Sequence, residues 1–166
     1  QLRVSALSPL SPTVSAHMEH TRHTIESAYF SVCIPQYNRT SFLLELIDSL
    51  AGQTFENSEV CISDDRSPDG RQQEVVDRLE ETELDYTFKV QPENRQYDGN
   101  MRAAIGLARG TYCFLMGNDD ALAGPDTLKQ LQKDIERLGP AGVVITDHED
   151  YRTGEKANRI RETQNY

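Results

Sequence analysis

Two adjacent carboxylates, Asp119 and Asp120, are the residues in this chain best suited to metal chemistry. They follow the nearly unbroken apolar run Thr111 to Met116 and the residue Gly117. Such a run is typical of a strand that is buried on both faces. Neighbouring carboxylates repel each other, so a pair of this kind lies in water or binds a cation. An isolated Asp-Asp pair is more often an ordinary polar loop, and its interpretation therefore depends on the rest of the chain.

Composition restricts the classes of partner. The 166 residues are enough for one domain with a substantial core, and the formal charge of −10 argues against nucleic acid and anionic membrane as partners. No apolar run is long enough for a transmembrane segment. The expected location is the cytoplasm, either free or peripheral to the inner face of the membrane. Three cysteines lie in apolar runs without the spacing of metal ligands, so we expect all of them to be core residues: Cys33, Cys61 and Cys113.

Hydrophobic periodicity predicts five strands that alternate with four helices. The expected strands are 29–35, 59–63, 86–90, 111–116 and 142–146, with 86–90 less buried than the others. The expected helices are 40–52, 67–79, 98–108 and 125–138, and Ser67 with Pro68 is expected to begin the second of them.

The chain also divides by composition. Residues 1–28 are expected to be a disordered leader, and residues 29–150 to form the folded domain. We expect residues 151–166 to be a polar tail or a hairpin with a turn at Thr153-Gly154, at the start of an absent acceptor half.

Strict alternation of strands and helices predicts an α/β fold of three layers, α/β/α, with a mainly parallel sheet. Ligands bind such sheets at the carboxyl ends of the strands, where the strand order reverses. Three polar loops are expected at that edge: Pro35–Arg39, Asp64–Asp65 and Asn118–Asp120. Neither a Gly-x-Gly-x-x-Gly turn nor a Walker lysine is present, so a phosphate ligand would need a bridging Mg²⁺ or Mn²⁺. Tyr37 offers an aromatic face for a base.

Four stretches resemble the motifs of one enzyme family. Ser31-Val-Cys-Ile-Pro-Gln-Tyr-Asn-Arg39 resembles the opening V-S-V-I-I-P-T-Y-N-R of family-2 inverting glycosyltransferases with the GT-A fold. Glu59 to Asp69 resembles their E-I-I-V-V-D-D-G-S-x-D, and Asn94 to Gly110 is similar to N-x-G-x-x-x-A-x-N-x-G-I-x-x-A-x-G. Phe114-Leu-Met-Gly-Asn-Asp-Asp120 resembles their DXD region. The resemblance covers residue 29 to about residue 150, with the motifs in the family's order and spacing.

This resemblance implies a nucleotide-diphospho-sugar donor, commonly UDP-linked, and transfer with inversion to a saccharide or lipid-linked saccharide, in the synthesis of bacterial surface polysaccharide. It implies Mn²⁺ or Mg²⁺ as cofactor, with Asp120 as the principal ligand and Asp119 beside it. The nucleotide-binding residues that it implies are Pro35, Gln36, Tyr37, Arg39, Asp64, Asp65, Arg95, Tyr97, Asn118 and Asp119.

Some positions depart from the family's pattern. Gln36 replaces a small Thr or Ser, Arg66 replaces a turn glycine, and Asn118 stands where a first acidic residue often lies. These departures leave the identity of the base open.

Two other functions fit part of the pattern. A receiver-like signalling domain would need a phosphoacceptor Asp after the third strand and a Lys after the fifth, where this chain has Gln91 and Asp147. A module that binds a sugar nucleotide without turnover would share every donor residue with the enzyme.

No catalytic base is identified in the sequence. The acidic cluster after Asp120, at Asp147, Glu149 and Asp150, is expected to be a solvated strand end. We therefore expect the base in another part of a longer enzyme, and expect this chain alone to bind donor without completing the transfer.

Overall fold

The computed structural model describes residues 18–139, 141–146 and 148–149, and the backbone of 156–157. The strands are β1 (Glu19–Arg22), β2 (Phe30–Gln36), β3 (Ser58–Asp64), β4 (Asp85–Val90), β5 (Tyr112–Leu115), β6 (His148–Glu149) and β7 (Lys156–Ala157). The helices are α1 (Thr40–Ala51), α2 (Gln72–Glu80), α3 (Gln96–Ile105) and α4 (Thr127–Leu138). None of the helices among these residues is long and apolar enough to cross a membrane.

Five of the strands form one sheet in the order β1-β4-β3-β2-β5. β2, β3, β4 and β5 run parallel to their neighbours, and β1 pairs with β4 in the antiparallel sense. The chain moves outward from β2 through β3 to β4 and then places β5 on the other side of β2. The strand order therefore reverses between β2 and β5, and ligands bind such sheets in the crevice at this point.

Helices cover both faces of the sheet. The larger core lies between α1, α2 and one face, where Val32 and Ile34 of β2 meet Leu46 and Ile47 of α1. On the other face, α3 packs through Ala104 against the small residues Cys33 and Cys61. The structure confirms the predicted three-layer α/β/α fold with a mainly parallel sheet.

A buried ion pair fixes β5 beside β2 at the amino end of the sheet. The Glu59 carboxylate is fully buried, accepts a hydrogen bond from the Ser31 hydroxyl at 2.6 Å, and pairs with the Arg109 guanidinium at 2.7 Å. Gly110 follows, and its amide donates to the Ser31 oxygen at 2.8 Å. A Cβ at Gly110 would lie 2.9 Å from the backbone nitrogen of Ser31, so only glycine allows this approach.

The predicted burial of two strands is wrong. In the sheet that the structure describes, β5 is an edge strand whose side chains alternate, with Cys113 and Leu115 exposed. The expected core position of Cys113 is therefore wrong, whereas Cys33 and Cys61 are buried as predicted. β4 is an interior strand rather than a less buried one, because β1 covers its outer edge. An apolar run shows that a segment is a strand but does not show which strands lie beside it.

Part of the expected disordered leader is structured. Glu19–Arg22 forms β1, and the Val90 amide donates to the Met18 carbonyl at 2.9 Å. The Asp85 carboxylate accepts hydrogen bonds from the amides of Thr24 and Ile25 at 2.7–2.9 Å. Burial alone would raise the pKa of Asp85, but these hydrogen bonds and that from the Thr24 hydroxyl outweigh it, and the pKa is lowered.

Two further predictions of elements need correction. The second helix begins at Gln72 rather than at Ser67, because the Ser67 side chain binds another loop. Residues 142–146 form no regular structure, so the predicted fifth parallel strand is wrong. β6 pairs with β7 in the antiparallel sense, and the expected turn at Thr153-Gly154 lies outside the described residues, so the polar tail or hairpin over 151–166 stays a prediction.

Candidate functional site

The loops that follow β2 and β5 meet at the point where the strand order reverses. We call residues 36–39 the first loop and residues 117–120 the second loop. Arg39 of the first loop donates from Nη1 to Oδ2 of Asp119 in the second loop at 2.5 Å. Both side chains remain well exposed, at 60% and 47%. The predicted gathering of charged side chains at this edge is therefore present in the structure.

The first loop contains two consecutive residues in left-handed backbone conformation. Asn38 has φ 55° and Arg39 has φ 56°, an arrangement that costs about 1–2 kcal/mol for each residue. The Asn38 amide donates to Ser67 Oγ at 2.8 Å, and its carbonyl accepts from Gln36 Nε2 at 2.6 Å and from Asn118 Nδ2 at 3.2 Å. These neighbours hold the strained turn in place.

Gln36 is fully buried, so its side chain does not face a ligand-accessible surface. Its Oε1 accepts from Nδ2 of Asn118 at 2.7 Å. Gln36 and Asn118, two of the positions that depart from the resembled pattern, are therefore in contact with each other. The carbonyl oxygen of Gln36 accepts hydrogen bonds from the Asn100 side chain at 3.0 Å and the Asp65 amide at 2.8 Å.

The two carboxylates at the end of β3, Asp64 as its last residue and Asp65 directly after it, are both buried. Asp64 Oδ1 accepts from the Ser67 amide at 2.8 Å, and Asp65 Oδ1 accepts from the Arg95 amide at 2.6 Å. Burial raises the pKa of the Asp64 carboxyl above its usual range, and its hydrogen bonds from Ser67 lower it only in part. The contact with Arg95 fixes the loop that precedes α3.

The second loop folds its carboxylates back over a glycine. The Gly117 amide donates to Asp120 Oδ2 at 2.9 Å, and the Asp120 amide donates to the Gly117 carbonyl at 3.2 Å. A Cβ at Gly117 would lie 2.9 Å from Asp120 Oδ2 and 3.1 Å from Asp119 Oδ1. A side chain at Gly117 would therefore displace both carboxylates.

Aromatic side chains flank the two loops. Tyr37 is 47% exposed and Tyr97 is 69% exposed, so both rings can be reached from solvent. Tyr97 is part of the lining of a pocket of about 100 Å³, together with Pro35, Met101, Leu115, Met116 and Gly117. This pocket is too small for a whole nucleotide, so a ligand of that size would lie mainly across the open surface.

Glycine positions of the resembled motifs have left-handed backbone here without glycine. Arg66 has φ 59°, and its guanidinium donates to the Pro92 carbonyl. Gln96, the third residue of the stretch that begins at Asn94, also has φ 59°. The loops after β3 and β4 therefore keep a shape that glycine would adopt without strain.

The donor set of the second loop fits Mg²⁺ or Mn²⁺ as a partial site. Asp119 and Asp120 supply carboxylate oxygens, which these ions prefer. Within the described residues, no cluster of three or more His, Cys, Asp or Glu could hold a metal ion on its own. Ions of this kind often bind one or two carboxylates and complete their shell with phosphate and water. The two carboxylates fit a metal that is shared with a diphosphate.

Sequence reasoning missed two polar residues of this edge. Asn38 stands inside the stretch that carries the resemblance, and its residue type was the available signal, since Asn adopts left-handed backbone more readily than most residues. Asn100 lies within the predicted helix 98–108, where helical spacing does not mark a polar residue as part of a site. Its Oδ1 is buried and accepts no hydrogen bond from the residues that the structure describes.

Several known proteins that resemble this chain are glycosyltransferases. The chain is 34% identical over 122 residues to the abequosyltransferase RfbV of Salmonella typhimurium, covering 72% of this chain and 36% of that protein. It is 34% identical over 115 residues to the amylovoran biosynthesis glycosyltransferase AmsB of Erwinia amylovora, covering 68% and 38%. The chain thus spans little more than a third of the length of these relatives.

Solved structures of glycosyltransferases share the fold. Residues 1–349 of TarS from S. aureus, in complex with UDP, superpose with a TM-score of 0.58 at 30% identity, covering 65% of this chain and 32% of that chain. The mannosyltransferase PcManGT from Pyrobaculum calidifontis, in complex with GDP-Man and Mn²⁺, gives 0.59 at 26% identity, covering 66% and 32%. The sequence of residues 31–164 matches the family described as Glycosyl transferase family 2. The chain belongs to glycosyl transferase family 2, and its fold is of the GT-A type.

Proposed function

We propose that this chain binds the nucleotide-diphospho-sugar donor of a glycosyltransferase at the crevice between β2 and β5. The observation that carries the proposal is the contact between the first and second loops through Arg39 and Asp119. This contact brings a cation and two carboxylates to the edge where such sheets bind ligands. The UDP complex of TarS and the GDP-Man complex of PcManGT support the same class of ligand.

The base of the nucleotide is assigned to the side of the crevice near β3. The exposed ring of Tyr37 stacks on the base, and a carboxylate oxygen of Asp64 or Asp65 accepts a hydrogen bond from a base N–H. A uracil or thymine N–H is a suitable donor, which is why UDP heads the expected ligands. Arg95, whose amide donates to Asp65, borders the same side, whereas Pro35 and Tyr97 line the pocket beside Gly117, on the side of the second loop.

The diphosphate is assigned to the second loop. Asp119 and Asp120 would hold Mn²⁺ or Mg²⁺, which when bound neutralises the charge of the diphosphate leaving group. Arg39 lies beside Asp119 and contributes a second positive charge on the same side of the crevice. Because the protein carries a formal charge of −10, these cations offset the repulsion between protein and diphosphate.

The reaction is transfer with inversion to an acceptor hydroxyl, on a saccharide or a lipid-linked saccharide of a bacterial surface polysaccharide. The name of AmsB, a glycosyltransferase of amylovoran biosynthesis, supports a role in polysaccharide synthesis. Inversion needs a general base that removes the proton of the acceptor hydroxyl. The four carboxylates described at this edge already have partners or metal-binding roles, and the chain covers only 36% of RfbV and 38% of AmsB, so we propose that the base lies outside the residues that the structure describes.

Calorimetry with UDP, GDP and dTDP, with and without Mn²⁺, tests donor binding. We expect UDP to bind, with an affinity that rises when Mn²⁺ is present. Asp120→Asn should remove the Mn²⁺-dependent part of the affinity while the thermal midpoint stays unchanged. Asp77→Asn, which changes an exposed carboxylate on α2, is the matched control. Equal UDP affinity for Asp120→Asn and the wild type would exclude Asp120 from the site.

An assay of sugar transfer and of donor hydrolysis tests the assignment of the base. The 166-residue chain is compared with the protein extended at its carboxyl end, at equal donor occupancy. We expect turnover only from the extended protein. Equal turnover by the short chain would place the base within it, and absence of turnover from both would favour a sugar-nucleotide-binding module.

A further inference from the structure

We infer that Gln36 and Asn118 are positioning residues, a pair of buried side-chain amides that holds the first and second loops in one arrangement. Their contact joins residues that are 82 positions apart in the chain, through the 2.7 Å hydrogen bond from Asn118 Nδ2 to Gln36 Oε1. The inference rests on the proposed function for the identity of its ligand, but the contact itself is a property of the ligand-free protein.

The hydrogen bonds of the pair are directed inward. Gln36 is fully buried and donates from Nε2 to the Asn38 carbonyl, so it reaches no ligand at the surface. Asn118 is buried and uses Nδ2 for two bonds, to Gln36 and to the same Asn38 carbonyl. An Asn side chain has two N–H donors, and both are therefore occupied. Both donors of Asn118 are therefore directed to the first loop rather than to a nucleotide.

The shared acceptor of the two amides is the strained residue of the first loop. Asn38 and Arg39 both have left-handed backbone, which is stable only while its surroundings hold it. The side chain of Arg39 extends from this turn to Asp119 of the second loop. The pair therefore sets the position of Arg39 relative to the carboxylates that would bind the metal.

Two isosteric substitutions remove donors from the pair without changing its volume. At a pH where the new carboxyl groups are ionised, Gln36→Glu removes the donor to the Asn38 carbonyl, and Asn118→Asp removes both donors of Asn118. The matched control is Gln53→Glu, at the end of α1, whose amide donates to the Gly124 carbonyl at 2.8 Å and accepts from the Leu128 amide at 3.1 Å. That amide likewise joins distant segments, but it follows the end of α1 that points away from the two loops.

The first measurement is amide hydrogen exchange of Asn38 in the ligand-free protein, followed by NMR. The Asn38 amide donates to Ser67 Oγ, so its exchange reports whether the first loop is held. We expect exchange at least about tenfold faster in Gln36→Glu and in Asn118→Asp, which corresponds to about 1.4 kcal/mol, within the range for a buried hydrogen bond. Gln53→Glu should leave this rate unchanged.

The second measurement is UDP affinity in the presence of Mn²⁺, at a temperature where every variant is folded. We expect Gln36→Glu and Asn118→Asp to weaken binding about equally, by roughly tenfold, and Gln53→Glu to bind as the wild type does. A much larger loss in Asn118→Asp than in Gln36→Glu would mean that Asn118 contacts the nucleotide, and would overturn the inference.

Unchanged exchange of Asn38 in both folded variants would overturn the inference whatever their UDP affinity. Faster exchange with unchanged affinity would also overturn it, since the pair would then be structural only. If wild-type protein binds no nucleotide, the proposed function fails, and the exchange rates still decide whether the pair holds the loop. Because a buried carboxylate is costly, Gln36→Ala and Asn118→Ala provide the same comparison if an isosteric variant does not fold.

Discussion

Replacing Arg39 by Gln should strengthen the binding of Mn²⁺ alone while weakening the binding of UDP alone. In the ligand-free protein the Arg39 guanidinium lies 2.5 Å from Asp119, so a metal must displace it to reach this carboxylate. The negative charge of a diphosphate, by contrast, is attracted to the same guanidinium, so UDP should bind more weakly without it. Gln has a Cβ and an unbranched side chain, as Arg does. The strain of the left-handed backbone at φ 56° is therefore the same in both proteins.

The expected change in Mn²⁺ affinity follows from the solvent exposure of the Arg39–Asp119 ion pair. Arg39 and Asp119 are 60% and 47% exposed, and pairs of this kind contribute about 0.2–1 kcal/mol. Removing the competing pair should therefore raise the affinity for Mn²⁺ by roughly 1.4- to 5-fold. At 1 M salt the Debye length falls to about 3 Å, and the difference should largely disappear.

Titration of free Mn²⁺ by electron paramagnetic resonance, at low and high ionic strength, measures this effect. The control is Arg78→Gln, which removes the same charge from a guanidinium that pairs with Asp48 on the surface of the helices. The control should leave Mn²⁺ affinity within error of the wild type. An unchanged or weaker affinity for Mn²⁺ in Arg39→Gln would refute the competition between Arg39 and the metal.

Four further substitutions have defined outcomes. Gly117→Ala should abolish the Mn²⁺-dependent part of UDP affinity in calorimetry with little change in thermal midpoint, because the new Cβ meets only the flexible carboxylates of the second loop; retained metal dependence would contradict this. Gly110→Ala should lower the free energy of unfolding by about 1–3 kcal/mol in urea, because its Cβ meets the backbone of β2; an unchanged midpoint would contradict the packing. Tyr37→Ala should weaken UDP binding by roughly 1–3 kcal/mol in calorimetry, the usual range for stacking on a base, whereas loss of stability without loss of affinity would place the ring in the core. The pKa of Asp64 is raised in the folded protein, so the folded state holds the Asp64 proton to a higher pH than the unfolded state does. The free energy of unfolding therefore falls as the pH rises from the unfolded-state pKa of this carboxyl through its folded-state pKa. Asp64→Asn should therefore stabilise the protein more at pH 7 than at pH 3.5 in urea titrations, and it should also weaken UDP binding. A gain in the free energy of unfolding that is the same at both pH values would refute the raised pKa of Asp64.

The sequence predicted the elements whose structure is decided locally. The runs that became β2 and β3 are buried on both faces, and helical spacing on α1 matches the residues that it buries. The polar loops after β2, β3 and β5 could also be placed at one edge, because parallel strands end on the same side. The fold and the location of the candidate site follow from these local signals.

The features of the fold and the site that were not predicted depend on pairing between distant segments, which a single sequence does not show. β1 is short and polar, and it becomes a strand only because Glu19 pairs in register with Lys89 of β4. β5 has the composition of a central strand but only one neighbour in the described sheet. The contact of Gln36 with Asn118 likewise joins two loops that are each unremarkable in sequence. Such contacts are set by tertiary structure rather than by local propensity.

β1 also bears on self-association. Without it, the outer edge of β4 would expose unpaired backbone groups beside the buried rings of Tyr86 and Phe88, and such an edge recruits strands from other molecules. β1 is a poor template for the same process, because it has only four residues and carries the charges of Glu19 and Arg22. A version of the protein that begins at Tyr29 would lose this protection, and aggregation could then be mistaken for a defect of the nucleotide site.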